Sequence, residues 1–222
     1  INKNTKNAII LGPSATFHEN YSYLLNTISK YAKAINASLG FLGDQSNTAG
    51  AWAMGVIPHR LPGGKDSPVK GYSYTEAINK EIDALIIYNL EPEYDFFDDN
   101  KILSALKKSK LNIFFSSFMT SSIEKYADIV FPLSVPQESS GTFINATKQV
   151  QTSHKIVKPK ESSLEGLDHL INISSNLKFS LTRDEIKRET KSILTNIKFP
   201  LNNYISAENI KTPNRDDSLH KV

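Results

Sequence analysis

Ala84–Tyr88 (ALIIY) and Asn112–Phe115 (NIFF), separated by an acidic loop and a helix-period stretch, decide the fold class. Short, continuous apolar runs of this length predict buried strands. Between them, Asp98 or Asp99 supplies the cap of a helix running from about Asp98 to Lys108. Lys107, Lys108 and Lys110 sit where cations complement that helix's C-terminal dipole. Strand, helix, strand is a βαβ unit, which requires parallel pairing. The alternation continues downstream, with a helix predicted over Ser121–Ala127 and a strand over Ile129–Leu133. Upstream, Asn7–Leu11 (NAIIL), closed by Gly12 and Pro13, predicts another buried strand. Tyr23, Leu24, Ile28, Tyr31, Ala32 and Ile35 then recur at helical spacing. The expected fold is therefore α/β, a doubly wound, mostly parallel sheet with helices on both faces.

Beyond Pro136 the character changes. The stretch SGTFINATKQVQ predicts a hairpin or extended arm, followed by helices over Ser163–Asn176 and from Thr182 to about Ile193. Leu164, Leu167, Leu170, Ile171 and Ile173 give the first of these an apolar face, and Thr182 with Glu185 forms a capping box for the second. The expected organisation is an α/β domain over residues 1–136, a hairpin or arm with closing helices over 137–199, and a polar, flexible tail over 200–222. The Gly-, Asn- and Pro-rich stretch from Asp44 to Gly64 predicts a long loop with one helical turn, and Trp52 is expected to pack at its base.

Composition excludes several chemistries. The chain contains no cysteine, so these 222 residues cannot ligate an iron–sulfur cluster through thiolates, form a disulfide or use a thiol nucleophile. A net charge of +3, from 26 basic and 23 acidic residues, does not point to nucleic acid. Arg60, Arg183, Arg188 and Arg215 are the only arginines, which weakens a phosphate-binding reading further. No apolar run approaches the roughly 20 residues that span a bilayer, so direct membrane insertion is not expected. The opening INKNTKN has neither a starting Met nor signal-peptide character, and predicts a native N-terminus upstream of Ile1.

Local motifs add little. The sequence has no G-x-G-x-x-G and no G-x-x-x-x-G-K-[ST], and Gly63-Gly64-Lys65 is followed by Asp66, whose charge opposes a phosphate. His18, His59, His154, His169 and His220 show no metal-binding spacing and are expected on the surface or in loops. Glu91, Glu93, Asp95, Asp98 and Asp99 do not match a calcium loop and read as a solvated loop with a helix cap. Ser116 and Ser117 are expected to make ordinary strand-end hydrogen bonds. If the sheet has a ligand crevice, Gly12, Asn89, Ser116 and Ser117 would line it, because open α/β sheets bind ligands beyond the strand C-termini.

Three stretches together are more specific: Asp44–Gly55 (DQSNTAGAWAMG), Ala127–Pro132 (ADIVFP) and Glu138–Gln151 (ESSGTFINATKQVQ). The last two, in this order and spacing, resemble the signature of the molybdopterin oxidoreductase superfamily. The first resembles the large iron–sulfur subunit of bacterial proton-translocating NADH:quinone oxidoreductases, respiratory complex I. The resemblance covers roughly residues 6–177 and implies a C-terminal part of such a subunit. It implies a scaffold role with no catalytic residue, no metal and no cofactor in this segment, and a vestigial pocket at Gly12, Asn89, Ser116, Ser117, Glu138, Gly141 and Asn145. Iron–sulfur clusters (4Fe-4S and 2Fe-2S) are expected in the missing N-terminal part. The implied partners are other peripheral-arm subunits, at the cytoplasmic side of a bacterial inner membrane. Two departures bear on the alternative, a fragment of a molybdopterin-guanine-dinucleotide enzyme. Ser116-Ser117 stand where relatives often carry an acidic residue facing guanine, and Lys148-Gln149 replace the usual Gly-Arg, removing a bidentate donor. A stand-alone nucleotide-binding α/β module is the other alternative.

Overall fold

The computed structural model describes residues 6–197 other than 44, 97, 146, 148, 161 and 178. The expected tail from Pro200, with His220, lies outside the described residues. Within them the chain forms two compact units. One holds the described residues up to Ala49 together with Ile144–Gln149; the other comprises Gly50–Phe143 and Val150–Ile197.

In the first unit β1 (Asn7–Leu11) pairs in parallel with β2 (Ala37–Phe41), placing Ile9 beside Leu39. Between them run a short helix, α1 (Pro13–Thr16), and α2 (Tyr21–Ala34). The buried stripe of α2 is Leu25, Ser29 and Ala32; Ala32 was predicted, whereas Leu25 and Ser29 take the places expected of Leu24 and Ile28, and Tyr31 is half-exposed. Adjacent Leu24 and Leu25 make both faces acceptable by spacing alone, and packing selects Leu25. Strand β1 is also less buried than predicted. Its residues alternate, with Leu11 inside and Ile10 exposed.

In the second unit α3 (Thr48–Ala53) begins just before Gly50 and leads through β3 (Arg60–Leu61) and β4 (Lys65–Asp66), an antiparallel pair closed by a 3-10 turn at Pro62–Gly64. Arg60 pairs with Asp66 across this turn, so the Gly-Gly-Lys-Asp stretch is a hairpin. Gly55 is obligatory beside it, because its φ is +72° and a Cβ would meet the Leu61 carbonyl carbon at 2.5 Å. Trp52 does not pack in a core as expected. It is half-exposed and lies edge-on to His59, with ring centroids 6.1 Å apart.

After α4 (Tyr74–Ile78) come β5 (Ala84–Tyr88), α5 (Pro92–Asp95), α6 (Asp99–Lys108), β6 (Leu111–Ser116), α7 (Ser121–Tyr126) and β7 (Ile129–Pro132); β5, α6, β6, α7 and β7 follow the predicted alternation, whereas α5 forms inside the stretch expected to be an acidic loop. The three strands are parallel in the order β5-β6-β7. The α/β class with parallel, helix-linked strands thus holds, with the strands distributed over two sheets and no order reversal within β5-β6-β7. Register puts Ile87 beside Phe114 and Val130 on one face. That face packs with Ile102, Leu106 and Ile123 from α6 and α7, and Phe114 and Ile123 are wholly buried. Each such side chain contributes about 1.5–3 kcal/mol by burial.

On the opposite face Tyr88, Phe115 and Phe131 stand side by side in register. Phe115 and Phe131 stack at 4.7 Å, and Tyr88 tilts on Phe115 at 5.5 Å. Helix α8 (Gly166–Asn176) lies over Phe115 and Phe131 through His169, while Tyr88 stays half-exposed. The hydrophobic pattern predicts an apolar α8 interface, but the buried residues are His169 and Ser174, and Leu170 is half-exposed. His169 lies edge-on to both phenylalanines and its Nε2 is 2.8 Å from the Pro132 carbonyl oxygen, so it is a core residue and not the expected surface one. The helix starts later than predicted because Leu164 is still extended, bridging Leu133 in parallel. Farther toward the N-terminal ends of the strands, Ile86 and Ile129 are exposed, so β5 is half-buried and not fully buried as predicted. The hairpin arm is present as β8 (Gly141–Ile144) and β9 (Val150–Ser153), and α9 (Arg183–Asn196) closes the described chain.

Candidate functional site

The second unit contains a cleft of about 560 Å³ beyond the C-terminal ends of β5 and β7. Tyr88 and Asn89 supply one wall, Leu133 and Ser134 another, Gly141 and Ser153 of the β8–β9 arm a third. The first turn of α8, at Gly166 and Leu167, and the side chains of Glu165 and Arg183 complete it.

Each lining residue is placed by a local rule. Asn89 leaves β5 with a φ of +51°, a conformation that Asn tolerates better than other side chains. Its amide donates to the Phe115 carbonyl at 2.8 Å, which fixes the exit of the strand. Burial pushes the Tyr88 phenol up from its ordinary value. That ring reaches α8 only because position 166 is glycine, where a Cβ would fall 1.7 Å from the Tyr88 hydroxyl. Among the described residues the buried Ser134 hydroxyl has no hydrogen-bond partner, while the Ser134 amide donates to the Leu164 carbonyl at 2.9 Å.

Electrostatically the cleft is self-neutralised. Glu165, buried at the N-cap of α8, accepts from Arg183 Nη1 at 3.2 Å and faces Lys155 Nζ at 3.8 Å. Arg183 Nη2 donates to Asp168. The hydrogen bond to Asp168, reinforced by Glu165, raises the guanidinium pKa against the opposing effect of burial. Both terminal nitrogens of the cleft's arginine are therefore committed to carboxylates of α8 and its N-cap.

Of the seven sequence-predicted pocket residues, the cleft brings together Asn89 and Gly141. Glu138 lies in the adjoining 3-10 turn and accepts from the Val135 amide at 3.3 Å. Ser116 lies at the end of β6 but turns inward; its hydroxyl donates to the Phe118 carbonyl at 2.8 Å and accepts from the Phe118 amide at 3.2 Å, the strand-end bonding expected of it. Ser117 belongs to this same turn and does not line the cleft. Gly12 and Asn145 belong to the other unit. Gly12 caps α1, and Asn145 Oδ1 accepts from the Thr147 and Gln149 amides at 3.0 and 2.9 Å, organising the arm's turn.

Sequence reasoning missed Tyr88, Ser134, Glu165, Gly166 and Arg183. The signal available was the placement of Glu165-Gly166 and Thr182-Arg183 at helix starts, where charges and glycines have a positional role.

The acidic loop is also more ordered than predicted. Asp98 caps α6, as the sequence suggested, accepting from the Lys101 amide at 3.4 Å. Glu93, by contrast, is no solvated loop group. It reaches the N-terminus of α7, accepting from the Thr120 and Ser121 hydroxyls at 2.8 and 3.0 Å and from the Ser122 amide at 2.5 Å. Among the described residues no group of three or more His, Asp or Glu side chains is arranged to hold a metal, and no helix is long and apolar enough to cross a membrane.

Parallel strands feeding a cleft at their C-terminal ends define an α/β fold of the type that takes ligands at that edge. The chain belongs to the molybdopterin oxidoreductase family, whose profile matches residues 1–175. It is 29% identical over 151 residues to NADPH-Fe(3+) oxidoreductase subunit alpha of Geobacter sulfurreducens, covering 60% of this chain and 18% of that protein. It is likewise 29% identical over 146 residues to a NADH-quinone oxidoreductase subunit of Rhizobium meliloti, covering 55% of this chain and 17% of that protein. The chain thus spans less than a fifth of the length of these relatives.

Proposed function

We propose that this chain is a scaffold region of the large iron–sulfur subunit of a proton-translocating NADH:quinone oxidoreductase. It supports electron transfer from NADH to quinone without a redox centre of its own. Its partners are other peripheral-arm subunits on the cytoplasmic side of a bacterial inner membrane, and 4Fe-4S and 2Fe-2S clusters reside in the N-terminal part of the full subunit. The Rhizobium relative supports the complex assignment, and the lack of cysteine supports placing the clusters elsewhere.

The observation that carries the scaffold reading is the commitment of Arg183 to Glu165 and Asp168. The family's cofactor is a pterin whose phosphate groups need unpaired cations or free N–H donors. Here the cleft guanidinium is already doubly paired, the Glu165 carboxylate beside it adds negative charge to the wall, and Tyr88 crowds the first turn of α8 at Gly166. The residues present do not fit a pyrophosphate-bearing group. Affinity purification of the tagged chain from its source membranes tests the assignment. Recovery with an NADH-oxidising, quinone-reducing complex is expected; purification of that complex without this polypeptide contradicts it. The size and position of the cleft favour a second reading, a nucleotide-binding α/β module, which predicts saturable nucleotide binding by the isolated chain.

A further inference from the structure

Helix α9 buries none of its residues, an unusual condition for a helix of 14 residues that closes a unit. Its integrity is local. The Thr182 hydroxyl accepts from the Glu185 amide at 3.2 Å, and Glu185 reaches back to the Thr182 amide at 2.9 Å, so the helix start is capped without tertiary help. It is anchored by ion pairs at its start and, along one side, by the half-buried Ile186, Ile193 and Leu194. At the N-terminal end Arg183 bridges Glu165 and Asp168 at the rim of the cleft. Toward the other end Ile193 Cγ2 lies 3.8 Å from where a Cβ on Gly63 would sit, against the 3-10 turn. An element that is well formed internally, shallowly packed and held by partly exposed charges opens as a unit at low cost.

We infer that α9 is an ion-paired strap at the rim of the cleft, contributing Arg183 to its wall, and that it loosens as a unit when Arg183 leaves its two carboxylates. Release removes a guanidinium from the cleft wall and leaves Glu165, among the described residues, paired with Lys155. The chemistry that drives release is screening of the guanidinium's partly exposed pairs by added salt. Access to the Glu165 side of the cleft is thereby set by the strength of one arginine's ion pairs.

Hydrogen exchange on the full chain, read by mass spectrometry, tests this. In Arg183→Gln the segment spanning α9 should exchange at least about tenfold faster, while β5 and β6 keep their wild-type protection. Wild-type α9 should move in the same direction as sodium chloride rises from about 0.05 to about 0.5 M, because partly exposed pairs are screened. The strap is overturned if α9 exchange is unaffected by the substitution and by salt, or if the sheet loosens together with α9. Should Arg183→Gln fail to fold, the wild-type salt series decides alone by the same comparison of α9 with β5 and β6.

Discussion

Glu93 shows how much a single side chain can hide from a sequence. Burial alone pushes its carboxyl up, but hydrogen bonds from Ser122 and Thr120 outweigh that effect and bring it down to about 2 from the ordinary 4.5. Because the folded value lies below the unfolded one, the stabilisation is fully present above pH 4.5 and is lost as pH falls toward about 2. Glu93→Gln should therefore cost about 1 kcal/mol at neutral pH, a gap that narrows in urea melts as pH falls through this window. Gly166 makes the opposite kind of point. Alanine is better than glycine in a helix by about 1 kcal/mol, yet Gly166→Ala would drive a methyl into the Tyr88 ring, whose Cζ lies 2.8 Å from the new atom. Overpacking at this level costs about 1–3 kcal/mol, so the substitution should destabilise on balance and also disturb the tilt of Tyr88 on Phe115. A urea midpoint that rises in Gly166→Ala would show that the ring yields freely.

At the level of elements, the sequence left two candidate caps for α6, and geometry resolves them. Asp98 accepts the Lys101 amide and pairs with the Lys101 ammonium, while Asp99 is already inside the first turn. Asp98→Ala should cost about 1 kcal/mol and Asp99→Ala a few tenths, measured as shifts in the denaturation midpoint. Apart from the single turn of α5, which was read as loop, the strands and helices between Ala84 and Pro132 were legible because of their periods and caps. What was not legible was which face is covered. Whether Ile86 and Ile129 meet another layer depends on elements far away in sequence, and a short apolar run looks the same in either case. The same holds for His169, whose burial is set by the Phe115–Phe131 stack beneath it and not by its neighbours in the chain.

For the whole molecule, the core that joins α6 and α7 to β5-β6-β7 is small, so each member matters. Leu106 is almost wholly buried there, and Leu106→Ala should cost about 2–5 kcal/mol in a urea melt, against under about 0.5 kcal/mol for exposed Tyr94→Ala. The candidate site was only partly readable for a related reason. Asn89 and Gly141 could be found because strand ends and motif glycines are local signals, whereas Glu165, Gly166 and Arg183 converge on the cleft from two helices. Their pairing, invisible in the composition, sets the charge balance on which the scaffold reading depends.

The most direct test of that reading is calorimetric titration of the purified chain with guanosine diphosphate, whose pyrophosphate carries the charge that a cleft with a doubly paired arginine should refuse. No saturable heat is expected up to about 1 mM nucleotide, whereas a stoichiometric isotherm with a Kd of about 1–10 µM, displaced by inorganic pyrophosphate, would contradict the scaffold assignment.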